Sequence, residues 1–276
     1  MAGTLYIVAT PIGNLEDITF RAVAVLKSVS AIACEDTRQT RKLLDHFGIS
    51  TPALSYHEHN EAARAAELGF RLAAGESIAL VSDAGTPLIS DPGYRLVAQA
   101  IEQGAAVVPI PGACAAVAAL SASGLATDEF HFGGFLSPKR GRRRSELEPL
   151  RQAGFTAIFY EAPHRIVETL ADIAEVLGPA RPVVVAREVS KLHEEFLRGT
   201  AQSVHDELAR RESVKGEITL LIGKPEAAAT VADPASLRDQ VERLAASGVS
   251  RMDAIKQVAH AHGIGKRHLY KIMEEA

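Results

Sequence analysis

Residues 77–93 read SIALVSDAGTPLISDPG, and this stretch decides the fold class. The apolar run Ser77–Ser82 has the length of a buried strand, and it ends in a loop that holds two glycines and two prolines. Glycine lets a ligand approach the main chain closely, while proline fixes φ and lowers the cost of ordering the loop. Such a loop offers backbone N–H and C=O groups to a small ligand, or it is only a decorated strand–helix connection. Asp91 reads as the N-cap of the next helix, with Pro92 at its first position.

The same pattern recurs on both sides. Thr4–Ala9 is an apolar run followed by the turn-rich TPIGN at 10–14, and Ala31–Cys34 is followed by helical spacing over Thr40–Phe47. Glu61–Ala74 reads as an alanine-rich helix, and Ala105–Ile110 ends in Pro111-Gly112 and a helix of small residues over Ala115–Ser123. Strands that end in Gly/Pro loops and feed helices indicate an α/β sheet that is largely parallel. Ligands of such sheets sit at the carboxyl ends of the strands. A second series follows, with strands at His131–Leu136, Thr156–Tyr160, Pro182–Arg187 and Glu217–Ile222 and helices near 142–152, 165–177 and 203–211. Residues 224–233 (KPEAAATVAD) have linker composition, and three helices are expected near 234–246, 251–262 and 266–275. The expected domains are therefore an α/β unit over 1–122, a second over 123–223, the linker 224–233, and a helical, helix-turn-helix-like tail over 234–276.

Composition narrows the function classes. The 276 residues are 47% hydrophobic and 23% charged, the profile of an ordinary globular protein. A formal net charge of −4 argues against indiscriminate coating of nucleic acid, so any RNA partner is met by local basic patches. Cys34 and Cys114 stand in unrelated contexts, which gives no disulfide framework and no metal-binding spacing. His and carboxylate residues do not cluster at ligand spacing either, so no metal is expected. There is no basic stretch leading into an apolar N-terminal run, and no segment approaches the roughly 18 apolar residues of a membrane span. A cytoplasmic location without a membrane partner is expected.

Three loops, TPIGN, DAGTP and PGACA at 111–115, each follow a strand of one sheet and converge on one edge. Glu35-Asp36-Thr37-Arg38 follows the second strand and serves either as a helix N-cap with an internal ion pair or as substrate-facing acid and base groups. EAPHR at 161–165 and REVSKLHEE at 187–195 mix cations and carboxylates, in surface salt bridges or toward a phosphate-bearing substrate. Lys139, Arg140, Arg142, Arg143 and Arg144 pack five cations into six residues. Like charges at that density persist where something anionic neutralises them, and phosphate contact is the expectation. No aromatic interleaves them, so stacking of single-stranded bases is not indicated there. In the tail, Arg251, Lys256, Lys266, Arg267 and Lys271 outnumber the carboxylates Asp253, Glu274 and Glu275. Arg251, Lys266 and Arg267 are the RNA-contact candidates of the tail.

Read in order, GTLYIVATPIGNLEDIT at 3–19, EDTR at 35–38, SDAGTPLISDPG at 82–93, PGACA at 111–115, GGFLSPK at 133–139, EAPHR at 161–165, REVSKLHEE at 187–195 and KGEITLLIG at 215–223 resemble the tetrapyrrole methylase superfamily. These are the class III S-adenosylmethionine methyltransferases, and the resemblance is to the branch that acts on small-subunit ribosomal RNA. It implies two α/β domains with S-adenosylmethionine in the cleft between them, in a homodimer. It also implies methyl transfer to the 2′-hydroxyl of cytidine-1402 of 16S ribosomal RNA, with no DNA partner. By motif, the cofactor meets Pro11 and Gly13, then Gly85, Thr86 and Ile89, then Cys114 and Ala115, with Tyr160 and Ala162 from the second domain. The chain departs from corrin and porphyrin relatives in its first loop, which is not Gly-rich, and in Thr86, where they carry Asp. It departs from many close relatives at Cys114, where they have Ser, and at Ala162, where they have Thr.

The chemistry so implied is a displacement at a sulfonium methyl group, and the protein's work is alignment and deprotonation of a poorly acidic hydroxyl. Glu35 or Asp36 is the expected base, with Arg38, Arg187, Glu188 and Lys191 positioning ribose and phosphate. The alternative is C-methylation of a tetrapyrrole precursor, against which the basic run and the helical tail argue.

Overall fold

Short β-rich segments and amphipathic helices alternate through residues 2–225 of the computed structural model, which describes those residues together with 234–261 and 265–274. The strands β1 (Thr4–Val8), β2 (Ala31–Cys34), β3 (Ala53–Ser55), β4 (Ile78–Leu80) and β5 (Ala106–Ile110) form one sheet in the order β3-β2-β4-β1-β5. Every pairing in it is parallel. Side chains alternate across a strand, so Ile78 and Leu80 enter one core with Leu5, Leu68, Leu72 and Leu96, while Ala79 enters the other with Val8, Leu26, Ile32 and Leu44. The helices α1 (Phe20–Ser28), α2 (Thr37–His46), α3 (Glu61–Ala73) and α4 (Tyr94–Glu102) supply the outer layers.

Asp91 does not cap α4. That helix starts at Tyr94 with Gly93 as its N-cap residue, and no side chain caps it. The Asp91 carboxyl is instead partly buried near Ser82, and burial raises its pKa.

The second sheet is mixed. Its strands β6 (Phe130–Phe135), β7 (Thr156–Glu161), β8 (Pro182–Arg187), β9 (Glu195–Thr200) and β10 (Ile218–Ile222) lie in the order β6-β7-β10-β8-β9. Only β6 and β7 pair in parallel. The strand β10 runs antiparallel to both β7 and β8, and β9 runs antiparallel to β8. The short connection from β8 to β9 forces that last pairing, because a parallel neighbour needs a long crossover. One face of this sheet is covered by α6 (Arg140–Leu147), α7 (Ile166–Leu177) and α8 (Ala201–Ala209). The other face packs against Ala116, Ala119 and Leu120 of α5 (Ala115–Ser123), the helix that leaves the first sheet. The small side chains of α5 let the two halves approach, and residues 1–224 form one compact unit.

Residues 225–276 form a second unit. Its helices α9 (Pro234–Ala246), α10 (Arg251–Ala261) and α11 (Lys266–Glu274) enclose a core of Leu237, Val241, Ile255, Val258 and Leu269. Most of the expected linker, residues 226–233, lies outside the described residues.

Candidate active site

The loops after β1, β4 and β5 are stitched into one wall. Thr10 and Gly85 exchange backbone hydrogen bonds of 2.9 and 3.1 Å, an isolated antiparallel bridge between two loops. The Thr10 hydroxyl donates to the Ser82 carbonyl at 3.2 Å, and the Thr86 hydroxyl donates to the Ala113 carbonyl at 3.1 Å. Gly85 stands at φ +84°, where a side chain is strained, and a Cβ there would lie 3.2 Å from Ile12 Cγ2.

These loops face the second sheet across a cavity of about 370 Å³. Gly85, Thr86, Ile89, Cys114, Ala115, Tyr160 and Ala162 all line it. Pro11 and Gly13 do not. The turn at 10–14 sends Ile12 inward, and Pro11 and Gly13 border a neighbouring cavity of about 430 Å³. Gly13 carries the Lys191 stem instead, since a Cβ there would lie 2.2 Å from Lys191 Cγ.

The carboxylates at the cavities differ from those expected. Glu35, Asp36 and Arg38 line neither cavity. Asp36 is a cap: its Oδ1 accepts the Arg38 backbone N–H at 2.8 Å, and its Oδ2 pairs with the Arg38 guanidinium at 2.7 Å. The Arg38 hydrogen bonds hold its pKa down at about 2, which makes it a poor base. Burial first, and then the charge of Asp83, raise the pKa of Glu35. Arg187, Glu188 and Lys191 are likewise outside both linings and form a brace. Arg187 binds Glu195 at 2.9 Å, Glu188 accepts the Glu217 N–H at 2.8 Å, and Lys191 bridges Glu188 and Glu217 at 3.0 Å each. That backbone bond is the chief reason the Glu188 pKa is lowered. Burial opposes the charge of Lys191, but its bonds to Glu217 and Glu188 outweigh burial and its pKa rises.

Asp91, Glu161 and Glu217 are the carboxylates that do line the first cavity. Glu161 is buried and consumed by Arg165 at 2.5 Å, the Thr169 hydroxyl at 2.7 Å and the Ala162 N–H at 2.7 Å. Burial, followed by the charge of Glu35, pushes the Asp91 pKa up to about 6. Glu217 sits at the amino end of β10, which the antiparallel pairing brings to the same edge as the carboxyl end of β7. A search of strand carboxyl ends therefore passes over it. A second signal also escapes the sequence. Among the described residues, the non-glycine positions with positive φ are Leu88, Ser90, Glu188 and Ser190, all in the loops that meet here. Backbone in this region costs about 1–3 kcal/mol per residue and gathers at functional sites.

The basic run is mostly structural. Arg143 is 1% exposed and bound at 2.6 Å to Asp172, itself 1% exposed. Buried in that pair, Arg143 is not an RNA contact. Arg140 binds Asp172 and Glu175, Arg144 binds Glu175 at 2.6 Å, and Arg142 binds Glu146 at 3.1 Å. The anions that neutralise this run are thus carboxylates of α6 and α7. Lys139 is exposed. In the second unit, Arg251 and Lys266 are exposed and Arg267 lies in α11. Among the described residues no helix is long and apolar enough to cross a membrane, and no group of three His, Cys, Asp or Glu is placed to hold a metal.

Residues 4–205 match the family described as Tetrapyrrole (Corrin/Porphyrin) Methylases. The chain belongs to the tetrapyrrole methylase family. As a member it is an enzyme, a methyltransferase that uses S-adenosylmethionine. Among curated relatives in the family, the Halalkalibacterium halodurans protein named ribosomal RNA small subunit methyltransferase I is 51% identical over 99% of this chain and 95% of its own length. A Synechocystis protein of the same name is 50% identical over 99% of this chain and 98% of its own length. The Bacillus subtilis protein of that name is 45% identical over 97% and 93%. Solved structures share the fold at low identity. Uroporphyrin III C-methyltransferase from Thermus thermophilus is 18% identical with a TM-score of 0.56, covering 80% of this chain and 97% of that one. A diphthine synthase is 12% identical with a TM-score of 0.62, covering 80% and 90%.

The first cavity fits S-adenosylmethionine. Its volume lies within the roughly 300–1,000 Å³ of small-molecule sites. Ile12, Ile89 and Tyr160 offer apolar faces, the 84–86 backbone is open to close approach, and Asp91 and Thr86 supply polar heads.

Proposed function

We propose that this enzyme transfers the methyl group of S-adenosylmethionine to the 2′-hydroxyl of cytidine 1402 in 16S ribosomal RNA. The observation that carries this reading is sequence identity of 50–51% sustained over nearly the whole chain. The relatives named ribosomal RNA small subunit methyltransferase I in Halalkalibacterium halodurans and Synechocystis match 99% of the chain, the helical unit included. The uroporphyrin enzyme is only 18% identical. A small helical unit with exposed Arg251 and Lys266 suits phosphate contacts that set register without reading bases. The tetrapyrrole alternative has no use for it.

Bound S-adenosylmethionine supplies a methyl group on a sulfonium that is its own leaving group. In the proposed site, Gly85 keeps the main chain open to the ligand, Tyr160 and Ile89 wall its apolar part, and Asp91 accepts hydrogen bonds from its polar groups. The loop-to-loop bonds at Thr10 and Thr86 hold these groups in place before binding, which is how positioning lowers a barrier. The enzyme is proposed to act as a homodimer in the cytoplasm, on the small ribosomal subunit. Lys139 and the tail residues Arg251, Lys266 and Arg267 are its proposed RNA contacts.

Mass mapping of ribosomal RNA from a strain lacking the gene tests the reading. One 2′-O-methylated cytidine in 16S ribosomal RNA should vanish and return when the purified chain and S-adenosylmethionine are added to isolated small subunits. Unchanged ribosomal RNA, with a tetrapyrrole methylated instead, would overturn it.

A further inference from the structure

The wall of the first cavity is also the wall of the second. The two share Ile12, Ala84 and Glu217, so a group held in one meets a group held in the other at those residues. The second cavity, of about 430 Å³, has α2 as its outer side. Pro11, Leu15 and Leu43 give it apolar surface, and Gln39, Thr40, Lys42 and Asp83 give it polar heads.

The polar heads are arranged for a ligand. Thr40 is only 5% exposed, yet its Oγ1 has no hydrogen-bond partner. The Cys34 thiol beside it donates to the Leu54 carbonyl at 3.6 Å, and burial raises the thiol's pKa, which the Thr40 hydroxyl partly offsets. A buried hydroxyl left unpaired is costly, and such exceptions call for an explanation. Lys42 Nζ donates to Gln39 Oε1 at 2.8 Å, which pins the amide oxygen and leaves the amide N–H groups to other acceptors. Asp83 Oδ1 accepts the Asp36 N–H at 3.0 Å, so the acid is held at the junction of β2 and α2. At the shared edge, Glu217 is fixed by Lys191, which Glu188 holds in turn.

We propose that the second cavity is the acceptor pocket, taking one ribonucleotide drawn out of an RNA strand, with its 2′-hydroxyl directed to Glu217 at the shared edge. The proposal rests on the reading of the first cavity as the cofactor site. A nucleoside matches both the size and the mixed lining: the flat base against Leu43 and Pro11, its edge within reach of the Gln39 amide and the Thr40 hydroxyl. A tetrapyrrole matches neither. It bears several carboxylates, and the pocket offers it Asp83 and Glu217 against a single cation, Lys42. Sequence-specific proteins read the unstacked bases of single-stranded RNA by their edges, so a pocket that holds the base also fixes where its ribose stands. Glu217 orients the hydroxyl by accepting its hydrogen bond.

The test measures methylation of unmethylated small subunits by the full chain, with cofactor affinity by calorimetry on the same samples. Gln39→Trp fills the pocket from an exposed helix position. It should bind S-adenosylmethionine within twofold of the parent, while kcat/KM for the subunit falls at least tenfold, chiefly through KM. Thr40→Val keeps the shape of the side chain and removes the hydroxyl, and it should lose three- to tenfold in kcat/KM with cofactor affinity unchanged. Glu217→Gln should lower kcat more than it raises KM. Unchanged kcat/KM in Gln39→Trp and Thr40→Val would sink the acceptor pocket alone. So would cofactor affinity falling in step with methylation, since both ligands would then share one cavity. A parent chain that binds no S-adenosylmethionine would sink the reading of the first cavity, and the acceptor pocket with it.

Discussion

The 82–93 loop and the helix α6 handle their polar groups in opposite ways. In the loop, the polar groups that need partners find them in adjacent loops: Thr10 with Ser82 and Gly85, Thr86 with Ala113. What remains is a preformed hollow with Asp91 at its wall. In α6, four arginines find carboxylates on α6 itself and on α7, and the most basic stretch of the chain becomes a clamp between two helices. Polar groups satisfied within a loop wall leave room for a ligand. Charges satisfied across a helix pair hold the fold together.

The largest effect that would sharpen this contrast is at Arg143. Breaking a buried ion pair costs about 3–5 kcal/mol, and because Arg140 stays on Asp172 the loss at Arg143 falls at the lower end, about 3 kcal/mol. Arg143→Ala should therefore lower the Tm by about 10 °C, taking about 2–4 °C per kcal/mol for a chain of this size. Arg142, whose side chain is 76% exposed beside Glu146, should lose no more than about 0.5 kcal/mol on the same change. Thermal melts of the two variants decide the matter, and similar small losses in both would dissolve the distinction between clamp and surface.

The next effect is a pH dependence at Asp91. Burial raises its pKa in the folded chain from the ordinary 3.8 to about 6. The folded state therefore holds the proton more tightly than the unfolded state. The stability it contributes is fully present below pH 3.8 and is lost as the pH rises through about 6. Asp91→Asn removes this titration, so its Tm should gain on that of the parent between pH 4 and pH 7. Parallel melting curves over that range would show that Asp91 is not held in a low-dielectric wall.

Legibility in the sequence follows the same division. The loop at 82–93 and the helix Ala115–Ser123 were readable because Gly and Pro restrict their own backbone, and Gly124 in the left-handed region ends that helix. The partners of the basic run were not readable. Asp172 stands 32 residues from Arg140, and nothing local in the chain announces that α7 will turn its acidic side to α6. Glu217 was missed for a topological reason, since β10 runs against its neighbours and presents its amino end to the site. Leu88 and Glu188 adopt positive φ although neither residue type favours it, so their loops carry strain that composition does not record. The strand β9 escaped notice because its EFLRGT sequence mixes charge into an edge position, and α1 because its apolar residues follow no clean helical stripe.

The central claim is that backbone geometry at 82–93 makes the cofactor site. Calorimetric titration of S-adenosylmethionine into the parent and Gly85→Val tests it most directly. A β-branched side chain at φ +84° meets Ile12 and closes the approach to the main chain. The expected result is an affinity at least a hundredfold weaker in a variant that still melts cooperatively. An unchanged affinity in the folded variant would contradict the account.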